Sequence, residues 1–174
     1  RAGGLSMAQS RIIEGLDDAV HALRGLPDKL RRRALRTALA AGARLVRDDA
    51  RRRAPVLDSA LRATPFRKPG TVRDAISVRT SKQARARGDV GVFVNVRPLK
   101  RGAVRAFKAA SGLRANRNRN DPFYWRFLEF GTRFMSARPF LQPATQRLGD
   151  ALRVFGQRIG PVIQRLNKPK APAP

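Results

Sequence analysis

The sequence predicts an α+β fold with N-terminal helices, a C-terminal helix, a small antiparallel sheet and a long basic loop or arm. Three observations support this fold class. Two segments with apolar residues at helical spacing come first, two segments of alternating apolar and polar residues follow, and another helical segment lies near the C-terminus. The 174 residues and the hydrophobic content of 42% suit one domain with a packed core.

The two N-terminal helices are predicted from the spacing of apolar residues. In residues 10–24, Ile12, Leu16, Val20 and Leu23 recur every three or four positions. A second, longer helix is predicted from about Pro27 to Arg52. Its apolar stripe consists of Leu30, Ala34, Ala38, Ala41 and Leu45, with Leu35, Leu39 and Val46 beside it.

Two neighbouring antiparallel strands are predicted in the middle of the chain. Ile76, Val78 and Thr80 alternate with polar neighbours, and valines occupy every second position of residues 90–96. The link of residues 82–88 is rich in Arg and Lys, and we expect it to be a hairpin loop.

Residues 97–120 contain eight basic residues and no acid. Val104 to Leu113 could form a short helix, but Arg114 to Asn120 has no apolar content. We therefore expect a long basic arm that becomes ordered against a partner. Its candidate contacts with DNA or a partner protein are Arg97, Lys100, Arg101, Arg105, Lys108, Arg114, Arg117 and Arg119.

The C-terminal third is predicted to hold an aromatic segment and a last helix. Phe127, Leu128 and Phe130 suit a segment that faces the core and enters a turn. The last helix should span Pro143 to about Gln157, with a stripe of Leu148, Leu152 and Phe155. Whether it resumes after the Gly-Pro pair at 160–161 is left open.

These elements predict a single domain over residues 10–160 with the basic arm inserted. Residues 1–9 are expected to be disordered or added by cloning. Met7 looks like a natural start, which would make residues 1–6 either a cloning remnant or an upstream reading. Residues 161–174 are expected to form a Pro-rich tail.

The formal net charge of +26 makes a polyanion the natural partner. Positive charge is concentrated in three places, namely 31–33, 51–53 and 97–120. Such clusters attract either a phosphate backbone or an acidic protein face. The alternative is a solvated surface that reflects heavy use of Arg and Ala.

The sequence gives little support for catalysis, metal binding or membrane contact. The absence of Cys and the single His exclude thiolate and multi-histidine metal sites. The acids are scattered, and adjacent Asp48 and Asp49 point about 100° apart on a helix, so we expect them to neutralise arginines of that helix. The chain has no apolar run near ~20 residues and no signal-peptide pattern. We expect no enzymatic activity, no cofactor and no membrane contact.

One segment carries a family resemblance. Residues 123–132 read FYWRFLEFGT and residues 138–144 read RPFLQPA. They resemble the signature of the tailed-bacteriophage tail-component family, the gene-product-ten-like proteins that complete tails or join heads to tails. Weaker similarity upstream covers residues 50–55 and 69–76. The motif residues are candidates for subunit contact, and they are Tyr124, Glu129, Gly131, Thr132, Arg138, Pro139, Phe140 and Pro143.

The chemistry of the motif suggests roles for several of these residues. Gly131 would give the backbone freedom in a turn. Glu129 is the one acid in a basic, apolar neighbourhood, so it should pair with an arginine, Arg133 or Arg138, or cap a backbone turn. For Glu129 and Thr132, a subunit-contact role and a structural role stay open. Pro143 should lie near the first turn of the last helix.

The resemblance implies helices packed on one small antiparallel sheet and a structural role in the phage neck or upper tail. It also implies a closed ring, expected to be hexameric, that completes or terminates the tail. The expected partners are connector or stopper proteins, tail-tube proteins, and genome DNA in the lumen, held by phosphate contacts. The protein would lie in the virion after assembly in the host cytoplasm. The main alternative is a free nucleic-acid-binding protein without sequence specificity. An enzyme such as a nuclease is a third class.

Overall fold

The computed structural model describes residues 16–57 and 68–167. The expectations for the N-terminus, for the start of the first helix and for the tail after 167 lie outside these residues. The described residues divide into two compact units. The first unit comprises residues 16–45, 78–93 and 147–167, and the second comprises residues 46–57, 68–77 and 94–146.

The described part of the chain is helical with one small sheet, which confirms the predicted α+β class. The helices are α1 (Leu16–Arg24), α2 (Asp28–Arg53), α3 (Thr71–Ala75), α4 (Lys82–Ala86), α5 (Arg101–Ser111), α6 (Trp125–Phe130), α7 (Leu141–Ala144) and α8 (Leu148–Asn167). The strands are β1 (Ile76–Thr80) and β2 (Val92–Val96), and short 3₁₀ turns occupy Ala115–Arg117 and Thr145–Arg147.

The strand pair is confirmed, and its register is defined by hydrogen bonds at each end. The N–H of Ser81 donates to the Gly91 carbonyl at 2.8 Å, and the N–H of Arg97 donates to the Ala75 carbonyl at 2.8 Å. The predicted hairpin loop contains the short helix α4 instead of irregular chain. That helix begins where the Ser81 hydroxyl accepts the N–H of Ala84 at 3.1 Å.

The core of the first unit is formed by α2 and α8. Small residues of α2, Ala34 and Ala38, are buried together with Ile159, Val162 and Ile163 of α8. Leu23, Leu30, Leu35, Phe155 and Leu166 pack against this cluster. Small side chains on one helix facing branched ones on the other allow the two helices to approach closely.

The last helix differs from its prediction in position and in face. It begins at Leu148, after the separate short helix α7, and runs through Pro161 to Asn167, so residues 161–167 are helical and the prediction that they belong to the Pro-rich tail is wrong. Leu148 and Leu152, predicted in its core stripe, are exposed, and Ala151, Ile159 and Val162 are buried in their place. The buried stripe extends beyond Pro161, because Val162 and Ile163 complete the apolar cluster and outweigh the missing proline N–H.

The predicted long basic loop is not confirmed. Most of the segment after β2 is ordered by helix α5 and by the 3₁₀ turn at Ala115–Arg117. Its alanines favour a helix, and Val104 and Phe107 lie half-buried on one side. Gly112 ends α5 at φ 66°, donating its N–H to Lys108.

Candidate functional site

The family-like segment forms a compact structure around a buried acid. Glu129 lies on α6 and is only 5% exposed. One carboxylate oxygen accepts the N–H groups of Phe140 and Leu141 at 2.9 and 3.0 Å, and the other accepts the N–H of Gln142 at 2.8 Å. The carboxylate therefore satisfies the free donors at the start of α7. This confirms the predicted backbone cap, whereas the carboxylate bonds neither Arg133 nor Arg138 in the described structure.

A turn of nine residues, 131–139, links the two ends of this cap. Gly131 begins it at φ 74°, and a Cβ there would lie 2.8 Å from the Met135 carbonyl oxygen. Thr132 and Met135 exchange two backbone hydrogen bonds of 2.9 and 3.2 Å. The Arg138 N–H donates to the Leu128 carbonyl at 2.7 Å. These bonds fix the turn at both ends, and the positive φ confirms the role predicted for Gly131.

The aromatic side chains of this segment face outward. Phe127, Phe130 and Phe134 are 48%, 73% and 83% exposed, and Met135 is also exposed. We call these four residues the aromatic surface. The prediction that Phe127 and Phe130 face the core is therefore wrong, while Leu128 is half-buried. The Glu129 carboxylate links α6 to the start of α7 by hydrogen bonds, while these phenyl rings are exposed.

An apolar cavity of about 290 Å³ lies beside the aromatic surface, within the second unit. Arginines accompany the aromatic rings in this region. The guanidinium of Arg133 lies 4.3 Å from the centre of the Phe134 ring, and that of Arg126 lies 5.5 Å from the Trp125 ring. The cavity is lined by Pro55, Val56, Leu57, Phe123, Tyr124, Phe127, Leu128, Met135 and Arg138.

The remaining motif residues divide into buried supports and exposed positions. Phe140 is fully buried and Pro143 is half-buried, so both support the fold. Pro143 lies in α7, one short helix earlier than predicted. Tyr124 precedes α6 and meets Phe123 edge-on at 5.6 Å. Thr132, Arg138 and Pro139 are exposed on the turn, where they are available for contact with another protein.

The eight basic side chains predicted to contact DNA or a partner are all exposed. They are displayed by an ordered segment and not by an extended arm. Residues 101–111 place Arg101, Arg105 and Lys108 on a helix, so their spacing is fixed by helical geometry.

A second concentration of positive charge lies in the first unit, and the sequence predicted only part of it. Lys29, Arg32, Arg33 and Arg36 lie within two turns of α2, and with Arg85 they line a cavity of about 320 Å³. The run at 31–33 signalled a charged cluster, but only the structure brings Arg85 beside it. Thr80, Asp89 and Val90 complete the wall.

Two carboxyl groups have shifted pKa values. Hydrogen bonding to Arg53, at 2.6 Å, lowers the pKa of Asp49, and Arg52, at 2.8 Å, adds to this effect against the opposing influence of burial. Burial raises the pKa of Asp121, partly opposed by the N–H of Phe123. Arg47 bonds Asp48 at 2.8 Å, so both acids of the adjacent pair bond arginines of their own helix.

Within the described residues, no three of His, Asp and Glu come together as a metal site would require. Asp74 instead bonds Arg73 at 3.1 Å, and Asp89 lies in the cationic cavity of the first unit. Among the helices of residues 16–57 and 68–167, none is both long and apolar enough to cross a membrane.

Comparison with known proteins gives one match. A family model described as "Bacteriophage HK97-gp10, putative tail-component" matches residues 17–131, about two thirds of the chain. The matched range includes Tyr124 and Glu129 and ends at Gly131, the first residue of the turn. No curated protein and no solved structure matches the chain.

Proposed function

The chain belongs to the HK97-gp10-like family of bacteriophage tail components, and from this premise we propose that it is a structural protein of the phage neck or upper tail. In this proposal, several copies form a ring that completes or terminates the tail and joins it to the head connector around the path of the DNA. As a tail component it is a protein of the virion. Its proposed work is assembly, without turnover of a substrate.

The aromatic surface is the observation that carries the proposal. Large exposed apolar patches on a protein mark places where another surface binds. Aromatic residues, Met and Arg are the types enriched at protein interfaces, and here three phenylalanines and Met135 stand beside Arg133. The backbone bonds of the turn and the Glu129 cap fix this surface before binding, which lowers the entropic cost of association.

The high positive charge of the chain supports a position of the proposed ring near nucleic acid. Six copies would carry 6 × 26 = +156 formal charges. A ring with that charge needs compensating anions, and genome phosphates or acidic faces of adjacent rings would supply them. We propose that the exposed basic side chains of residues 97–120 face such anions and hold DNA without reading its bases.

The test is a pair of double variants in the phage that encodes this chain. Phe130→Ser with Phe134→Ser removes the most exposed rings of the aromatic surface. Leu148→Ser with Leu152→Ser removes two exposed apolar side chains of the first unit and is the matched control. We expect the first pair to leave the chain folded and to lower the yield of infectious particles at least a hundredfold. The control should change the yield less than threefold.

Imaging of the particles tests the ring directly. We expect complete virions to hold the chain in one symmetric ring at the neck or upper tail, and the aromatic variant to accumulate heads and tails that are not joined. A chain found as a single non-symmetric subunit would contradict the proposal, as would equal yields for the two double variants.

A second candidate, a free nucleic-acid-binding protein, is favoured by the exposed basic residues of α5 and its flanks. It predicts tight DNA binding by the isolated monomer and absence of the chain from purified virions. Quantifying the chain in purified particles separates the two functions.

A further inference from the structure

We propose that a cationic cavity in the second unit binds the phosphate groups of a DNA backbone. The cavity measures about 460 Å³ and is open to solvent. Four cationic side chains line it, those of Arg51, Lys68, Arg97 and Lys100. This inference rests on the proposed function, because it names the site at which the chain contacts DNA. That site lies mostly outside α5.

Arg51 is held in place by the backbone. Its Nε and Nη2 donate to the Ile76 carbonyl at 3.1 and 2.8 Å, and Nη2 also lies 3.4 Å from the Asp74 carbonyl oxygen. These bonds orient the guanidinium and leave the two N–H groups of Nη1 for an anion. A cation fixed before binding loses little side-chain entropy when the ligand arrives.

The other three cations lack a compensating acid. Lys68, Arg97 and Lys100 form no ion pair with the residues that the structure describes. The one acid in the cavity wall, Asp74, bonds Arg73 at 3.1 Å. Among the described residues the cavity therefore carries an excess of positive charge, which an added anion would balance.

A buried hydroxyl gives an independent indication. Ser77 lines the same cavity, and its Oγ is buried with no hydrogen-bond partner among the described residues. Such a group is costly and calls for an explanation. Rotation about its Cα–Cβ bond would let this hydroxyl donate a hydrogen bond to an acceptor in the cavity. A phosphate oxygen is such an acceptor.

The lining favours a DNA backbone over an acidic protein or a free nucleotide. Its described lining residues include no aromatic side chain, so they offer no stacking platform for a base and no aromatic anchor for a protein partner. Both ends of the basic segment, Arg97–Lys100 and Asn120, reach the cavity. The exposed cations of that segment therefore extend the positively charged surface beyond the cavity. Such a surface suits a polymer with regularly spaced negative charges.

The experiment measures binding of fluorescein-labelled 20-base-pair duplexes of two unrelated sequences to the full chain, by anisotropy at several salt concentrations. Lys68→Gln with Lys100→Gln removes two charges from the cavity. Arg158→Gln with Arg165→Gln removes two exposed charges from α8 and is the matched control. Circular dichroism verifies folding, and Lys100→Gln alone provides a milder variant.

We expect the cavity pair to weaken binding of both duplexes at least tenfold in 50 mM salt. It should also reduce the slope of log K against log salt by about 1.8, which corresponds to two lost phosphate contacts at ~0.9 each. The control pair should weaken binding less than threefold, and Ser77→Ala about threefold. Inorganic phosphate or a mononucleotide at equal phosphate concentration should compete poorly, since a backbone engages several cations at once.

Equal losses for the two pairs, or an unchanged slope for the cavity pair, would overturn the inference. Competition by polyglutamate as strong as that by DNA at equal charge would assign the cavity to an acidic protein instead. The aromatic variant Phe130→Ser with Phe134→Ser should keep full DNA affinity. A failed phosphate site and a failed assembly surface are therefore distinguishable.

Discussion

Helix α8 of the first unit and helix α6 of the second bury opposite kinds of residue. In α8, Ile159, Val162 and Ile163 are buried and the charged residues face solvent. In α6, the acid Glu129 is buried while Phe130 is 73% exposed. Helix α8 is therefore stabilised by apolar packing, whereas the family-like segment is stabilised by hydrogen bonds. The aromatic rings of that segment remain exposed and can contact another surface.

The largest expected effect is the loss of the buried acid. Glu129→Ala removes the acceptor of three backbone N–H groups, each costing about 1–3 kcal/mol when left unpaired in a buried place. We expect the free energy of unfolding in urea to fall by about 4 kcal/mol. Glu129→Gln keeps one acceptor oxygen, so it should lose about half as much. A loss below ~1 kcal/mol for Glu129→Ala would show that packing, and not this cap, holds the segment.

A slightly smaller loss is expected in the apolar core of the first unit. Ile159→Ala creates a cavity against Ala34 and Ala38, which should cost about 3 kcal/mol in urea unfolding. Leu152→Ala, on an exposed position of the same helix, is the control and should cost less than ~1 kcal/mol. Equal losses of unfolding free energy for Ile159→Ala and Leu152→Ala would mean that the predicted stripe of Leu148 and Leu152 is the true core face.

A third variant tests the close approach of backbone in the first unit. A Cβ on Gly42 would collide with the Ala151 carbonyl oxygen and lie 3.1 Å from its carbon. Overpacking costs about 1–3 kcal/mol and the better helix propensity of Ala returns about 1. Because the colliding atoms belong to the backbone, the cost lies at the upper end of that range, and we expect Gly42→Ala to lower the free energy of unfolding by about 2 kcal/mol. Gly149→Ala has nothing within 4 Å and should be neutral or stabilising.

The smallest expected effect is a pH dependence carried by Asp49. Because its folded pKa lies below the unfolded value near 3.8, its contribution to stability is present above that value and is lost as pH falls through the folded pKa. Asp49→Asn should therefore flatten the loss of stability as the pH falls below about 3.8. Asp48→Asn, half-buried beside it, is the control. An unchanged pH profile for Asp49→Asn would show that the bonds to Arg52 and Arg53 contribute no net stability.

Sequence periodicity predicted the elements better than their faces. The valines of β2 and the apolar spacing of α2 located the strand and the helix correctly, because local pattern and backbone conformation agree there. The predicted face of α8 is right for Phe155, which packs against the apolar cluster, and wrong for Leu148 and Leu152. The sequence does not reveal that Ala34 and Ala38 are buried with residues beyond Pro161. Contacts distant in sequence decide that choice.

The sequence identified residues of the candidate site but not which of their side chains are buried. The sequence predicts that Glu129 pairs with an arginine or caps a backbone turn, and the structure shows the cap. Aromatic residues usually indicate a core, so Phe127 and Phe130 were placed inside. The cationic cavity of the second unit could not be predicted, because Arg51, Lys68 and Arg97 are far apart in sequence and only the fold brings them to one wall.

Hydroxyl-radical footprinting of the aromatic surface, on the free chain and on assembled phage tails, tests the central claim most directly. The account predicts that Phe130, Phe134 and Met135 react readily in the free chain, where they are exposed, and become protected at least fivefold in tails. Leu148 and Leu152 serve as the internal reference and should keep their reactivity. Equal reactivity of the three residues in both states would contradict the claim that this surface binds a neighbour.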